Sequence, residues 1–210
     1  ASTTILVDES TLLKDALVLK NAMEQKGLEV KLADKVLDNV KYIQLRLGNV
    51  TAPLNQSEAY HLETTADKIV ITANTSQGIY SGIQTLVQLM RNNVFVDASE
   101  ITDWPAFAWR GFMVDVGRNY QSIKLLKQQI DVMAAYKLNI FHFHPTEDIA
   151  WRLQSKLYPQ LTDPEYMHRD KGEYYTENDL KELINYCKER YITLVPEIDM
   201  PGHSAAFKRA

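Results

Sequence analysis

The chain has 210 residues, 45% of them hydrophobic and 24% charged, with a net charge of −4 and a pI near 5.8. That balance is the composition of an ordinary globular protein with enough chain for a sizeable core, and it offers no basic stripe for nucleic acid or for an anionic membrane surface. No apolar run has the length of a membrane span. The single cysteine, Cys187, excludes an internal disulfide and a cysteine-based zinc site. The N-terminus "ASTTILVDES" lacks the basic start and long apolar core of a signal peptide, and beginning on Ala1 implies processing or trimming. Cysteine poverty fits many exported bacterial proteins without fixing the compartment; a secreted or periplasmic location is the expectation.

The first hundred residues read as a small α+β unit. "TTILVD" predicts a strand, and Ser10 is expected to cap a helix that buries Leu13, Ala16, Leu17 and Leu19, runs towards Met23 and stops at Gly27. "LEVKLAD", "YIQLRLG", "AYHLETT" and "KIVITAN" alternate or run apolar over strand lengths. After Ser76 the apolar residues Ile79, Tyr80, Ile83, Leu86, Val87 and Met90 follow the helical period. Gly78 and Gly82 in that helix are expected to permit close packing rather than to hold a phosphate. His61 stands alone and is read as a satisfied residue of the fold.

"EITDWPAFAWRG" is the join, where Pro105 interrupts regular structure. Beyond it strand and helix alternate. "RGFMVDV" predicts a buried strand, Ser122 a cap on a helix with Leu126, Ile130 and Met133, and "LNIFHFH" the next strand. After a long loop, Thr176 is expected to cap a helix with Leu180, Leu183, Ile184 and Cys187 on one face, followed by the strand "ITLVPEI". Two such crossovers imply neighbouring parallel strands, whose carboxyl ends gather the working residues. Arg118, then Glu147 and Asp148, then Asp199 and His203 each follow one of these strands and should meet on one rim. "DVGRNYQS" lacks the glycine pattern of a dinucleotide site. The expected fold class is therefore α/β: an α+β domain over residues 1–103, then the first three βα units of a TIM (β/α)8 barrel over residues 104–210, with the chain ending before the barrel is complete.

Several chemistries compete for the rim residues. His142 and His144 lie two apart on a strand and point to the same side, as the zinc pair of a metal-dependent hydrolase would, with His203 the obvious third ligand. The alternative buries one of the two histidines inside the barrel and leaves the other to shape the rim. Arg118 is either a surface arginine or a fork that grips hydroxyls or a carboxylate. Asp199 and His203 either form a turn around Pro201 and Gly202, or act together, the aspartate fixing the tautomer of a histidine that polarises an acid. Tyr174, Tyr175 and Trp151 are read as packing for the long loop.

The stretch from "RGFMVDVGRNYQSIKLL" through "IFHFHPTEDIAWRLQ", together with the closing "PEIDMPGHSAAF", resembles glycoside hydrolase family 20, the β-N-acetylhexosaminidases. "AYHLETTADKIVITANTSQGIYSGIQTLVQLMR" is similar to that family's small N-terminal domain. The resemblance implies cleavage of terminal β-linked N-acetylglucosamine or N-acetylgalactosamine with retention, the substrate's own acetamido oxygen serving as nucleophile, and no cofactor. It implies that Arg118, His144 and Asp148 contact the sugar while His203, Glu147 and Asp199 support the acid/base glutamate. That glutamate and the aspartate before it belong to the family's fourth strand, beyond Ala210, so the 210 residues alone are expected to hydrolyse nothing. Two positions depart from the family's H-x-[TSV]-D-D: Pro145 replaces an aliphatic residue and Glu147 replaces the first aspartate. The extra methylene requires the carboxylate to retract or the site to shift. A non-catalytic carbohydrate-binding homologue is the reading those departures favour.

Overall fold

The structure is a computed structural model that describes residues 2–35, 41–90 and 95–210. Contacts divide the chain into two compact units, residues 1–108 and 109–210. None of its described helices is long and apolar enough to cross a membrane.

The first unit is a six-stranded sheet with two helices. Its elements are β1 (Ser2–Val7), α1 (Leu13–Glu24), β2 (Glu29–Ala33), β3 (Tyr42–Leu47), β4 (Tyr60–Thr64), β5 (Lys68–Ala73), α2 (Ser76–Leu89) and β6 (Ser99–Asp103). The sheet order is β2-β1-β3-β5-β4-β6. The first four in that order run parallel, and β4 lies antiparallel to both β5 and β6. Ala16, Leu19 and Met23 of α1 and Ile79, Ile83 and Leu86 of α2 join Ile5, Ile43, Leu45, Leu62 and Ile71 in one buried cluster. Gly78 and Gly82 do serve close packing: a Cβ at Gly78 would stand 2.5 Å from the Ala59 carbonyl oxygen, and one at Gly82 2.6 Å from Ile71 Cγ2. Gly27, at φ 82°, takes the left-handed conformation that closes the chain reversal after α1.

Three expectations for this unit fail. Ser10 caps nothing; it opens a short 3-10 turn, Ser10–Leu12, that feeds α1 without a side-chain cap. Leu13 and Leu17 are exposed, and the helix buries Ala16, Leu19 and Met23 instead. The strand β6 runs into the segment read as a join, because "SEITD" pairs across to β4 although only Ile101 within it is apolar. His61 is satisfied within the sheet, its Nδ1 2.9 Å from Thr102 Oγ1.

The second unit begins with β7 (Gly111–Asp115), α3 (Ile123–Ala135) and β8 (Ile140–His144), and continues with α4 (Glu177–Lys188), β9 (Thr193–Pro196) and α5 (Ala205–Arg209). Its strands form a parallel sheet in the order β7-β8-β9, as the two crossovers require. Ser122 caps α3 by accepting from Leu125 N, and Thr176 caps α4 in a reciprocal box with Asp179. Alternation along β8 separates two faces: Phe141 and Phe143 are fully buried, while His142 and His144 share the other side. Leu126, Ile130, Leu183 and Cys187 of the helices are equally buried. Contrary to expectation β7 is not a buried strand. Only Val114 within it is buried and Phe112 is 46% exposed, because among the described residues β7 pairs with β8 alone. Ile184, expected on the covered face of α4, is also exposed.

Candidate active site

All three strands end on the same side, and the residues that follow them converge. Asp115, the last residue of β7, accepts from Arg118 N at 2.9 Å and from Arg118 Nη1 at 2.6 Å, so the strand end itself sets the direction of the guanidinium. The other arm of that fork, Nη2, pairs with Glu147 Oε1. His203 Nδ1 lies 2.6 Å from the same oxygen. Glu147 is 2% exposed, while Arg118 and His203 are about half exposed. One buried carboxylate oxygen thus faces two outward-reaching groups from two different strand ends.

Glu147 reaches this place because residues 146–151 form a tight hairpin: Thr146 bridges Trp151, and Glu147 N donates to Ala150 O at 3.0 Å. The hairpin presses against the end of β7. A Cβ at Gly117 would lie 2.8 Å from Glu147 Cβ, 3.1 Å from Thr146 C and 3.2 Å from Glu147 N. The main chain at 146–147 therefore occupies the volume of a side chain at 117.

Of the two histidines on β8, His144 is the enclosed one, at 4% exposure, and His142 is the exposed one, with a side-chain exposure of 40%. His144 stands between the outer strands, its Nδ1 3.7 Å from Asp115 Oδ2 and its Nε2 3.3 Å from Asp199 Oδ2. His142 Nε2 is 2.5 Å from Glu197 Oε2, just past β9. Asp199 N also donates to Thr146 Oγ1 at 3.3 Å, tying the third strand end to the hairpin. Asp148 is exposed at the outer end of the hairpin, with Oδ1 accepting from Ala205 N at 2.8 Å.

Among the described residues two groups bring metal-ligand types within reach of each other: His144, Glu197 and Asp199, and Glu147, Asp148 and His203. The zinc pair expected from sequence is not one of them, since His142 belongs to neither. A divalent cation at Glu147 would stand beside the Arg118 guanidinium and be repelled by it. In the other group the nitrogen of His144 that faces Asp199 lies at ion-pair distance without hydrogen-bond alignment, and two carboxylates flank the ring.

Three contributors escaped the sequence reading. Asp115 and Glu197 stand at or just past the carboxyl ends of β7 and β9, the rule that selected Arg118 and Asp199, and so were open to the same inference. Arg152 carried no such signal. It is fully buried, with Nε donating to Val116 O at 2.6 Å, Nη1 to Glu173 O at 2.8 Å and Nη2 to Arg169 O at 3.1 Å. Burial pulls its pKa down from the usual guanidinium value. Its fork binds the long loop 145–176 to the segment that carries Arg118. In the same loop Tyr175 is fully buried, its hydroxyl donating to Gln121 O at 2.6 Å, and the Trp151 ring meets Phe207 edge-on, so both do act as packing.

Comparison with known proteins gives this arrangement a lineage. The catalytic-domain profile of glycosyl hydrolase family 20 matches residues 107–210, and that family's domain 2 profile matches residues 1–104. A β-hexosaminidase of Porphyromonas gingivalis is 35% identical over 97% of this chain, and one of Vibrio furnissii 37% identical over 76%. Among solved structures, the β-N-acetylhexosaminidase of Bacteroides fragilis superposes with a TM-score of 0.83 at 32% identity, covering 97% of this chain and 42% of that one. The Streptomyces plicatus N-acetyl-β-hexosaminidase superposes with a TM-score of 0.86 at 30% identity, covering 98% and 43%. The chain spans 28% of the Porphyromonas protein and 29% of the Vibrio furnissii protein. Two profiles of one family, meeting at the join and together taking in nearly every residue, show that the chain belongs to glycoside hydrolase family 20.

Proposed function

We propose that these residues form the companion domain and the first three barrel strands of a β-N-acetylhexosaminidase that removes terminal β-linked N-acetylglucosamine or N-acetylgalactosamine. The reaction retains anomeric configuration and uses the acetamido oxygen of the substrate as nucleophile. The observation that carries this reading is the meeting of Arg118, Glu147 and His203 at three parallel strand ends. Arg118 offers a half-exposed fork, fixed by Asp115, to the hydroxyls of the terminal sugar. Glu147 neutralises that fork from below and, with Arg118 Nη2 3.3 Å from the same nitrogen, holds Nδ1 of His203, so that the imidazole can support the acid/base glutamate. His144 and Asp199 brace the three strand ends beneath the sugar. The acid/base glutamate and the aspartate that orients the acetamido group are supplied by the fourth strand, so the 210 residues in isolation are inactive.

The test is hydrolysis of an aryl β-N-acetylglucosaminide by the full-length protein that carries this chain. Activity that survives a chelator and falls at least a hundredfold in Arg118→Ala supports the reading. Binding of an N-acetylglucosamine thiazoline without any turnover would replace it with the carbohydrate-binding homologue. Stoichiometric zinc with chelator-sensitive activity would replace it with the metal-dependent hydrolase.

A further inference from the structure

Asp148 neighbours the central carboxylate, yet its side chain and its main-chain oxygen make their contacts away from it. Its Oδ1 accepts from Ala205 N at 2.8 Å, and its main-chain oxygen accepts from Arg209 Nη2 at 2.7 Å. Arg209 Nη2 also donates to Tyr166 O at 3.0 Å. Both ends of α5 are thereby held to the hairpin and loop that follow β8. Two residues before α5 stands His203, at φ 47°, a left-handed conformation that costs a residue with a side chain about 1–3 kcal/mol and persists where its surroundings fix it. The fixing contacts are few. Ser204, which is buried, donates from Oγ to Pro201 O at 2.6 Å within the turn, and Asp148 grips the next amide from a different strand end. Asp148 N in turn donates to Glu147 Oε2 at 2.6 Å. Consecutive residues therefore hold the same turn at two points, Glu147 through the His203 ring and Asp148 through the main chain beyond it.

We infer that Asp148 is a positioning residue, which fixes the turn carrying His203 by capping Ala205 and so sets the imidazole against Glu147, instead of holding a sugar hydroxyl. The inference rests on the N-acetylhexosaminidase reading. What the turn requires of residue 148 is an acceptor oxygen, with or without charge. A sugar ligand would instead be felt in substrate affinity.

The experiment compares Asp148→Ala and Asp148→Asn in the full-length protein, with kcat, KM, thiazoline affinity and a crystal structure of each variant. A displacement of the imidazole by about 1 Å is worth on the order of a hundredfold in rate. Asp148→Ala is expected to lower kcat by ten- to a hundredfold, to leave KM and thiazoline affinity within about threefold, and to release the 203–205 turn from its left-handed conformation. Asp148→Asn keeps an acceptor in place and is expected to recover most of the loss. A tenfold rise in KM at unchanged kcat, an asparagine variant as damaged as the alanine one, or an alanine variant equal to wild type would each overturn the proposal. If the wild-type protein hydrolyses nothing, the functional reading fails, and the crystal structures still decide whether Asp148 holds the turn.

Discussion

Gly117→Ala is the smallest change that strikes the centre of the site. The added methyl would stand 2.8 Å from Glu147 Cβ, about 0.6 Å inside ordinary contact, and 3.1–3.2 Å from two main-chain atoms of the hairpin. No side-chain rotation relieves a clash with main chain, so either the hairpin or the end of β7 must move. Overpacking of this kind costs about 1–3 kcal/mol. The displaced groups are Glu147 and Arg118, which sit on opposite sides of the clash and must still meet. A shift of several tenths of an ångström between them is worth roughly tenfold in rate, on the scale of a hundredfold per ångström. In the full-length protein, kcat/KM for an aryl β-N-acetylglucosaminide is expected to fall about tenfold or more and the melting temperature by a few degrees. Activity within twofold of wild type, at unchanged melting temperature, would refute the claim that the hairpin occupies the place of a side chain at 117.

Arg152→Met keeps much of the buried volume and strands the carbonyls of Val116, Arg169 and Glu173, each unsatisfied group costing about 1–3 kcal/mol, so a loss of about 3 kcal/mol or more is expected in denaturant titration, with early proteolysis inside loop 145–176. Burial pushes the Cys187 thiol up from 9.0 to about 12. In the folded chain the thiol therefore keeps its proton where the unfolded chain loses it. Its contribution to stability is complete below about pH 9 and is lost as pH rises towards 12. Stability in urea should decline over that interval, and the decline should shrink in Cys187→Ala; native protein at pH 8 should also resist thiol reagents until it unfolds.

The strand–helix rhythm of the second unit was legible because its signals are local. Ser122 and Thr176 stand directly before apolar helical stripes, and the residues after each parallel strand must share a rim whatever the rest of the barrel does. What stayed hidden depended on partners distant in sequence. The polar edge strand β6 exists through its pairing with β4, which its own pattern does not announce. Period-two alternation placed His142 and His144 on one side but could not say which is enclosed, since enclosure depends on Asp115 and Asp199 from the neighbouring strands. Arg152 carried no local signal, because the carbonyls it serves belong to Val116, Arg169 and Glu173, well away from it in sequence. Glu147 was legible as a departure from the family pattern, and the close packing of its hairpin against Gly117, thirty residues earlier, was not.

The central claim is that this site holds an N-acetylhexosamine whose own acetamido group attacks the anomeric carbon. Its most direct test is to offer the full-length protein matched aryl β-glycosides of N-acetylglucosamine and of glucose, which differ only in that group. The account predicts rapid release of the aryl alcohol from the first and none above background from the second. Comparable cleavage of both sugars, or cleavage of glucose alone, would contradict it.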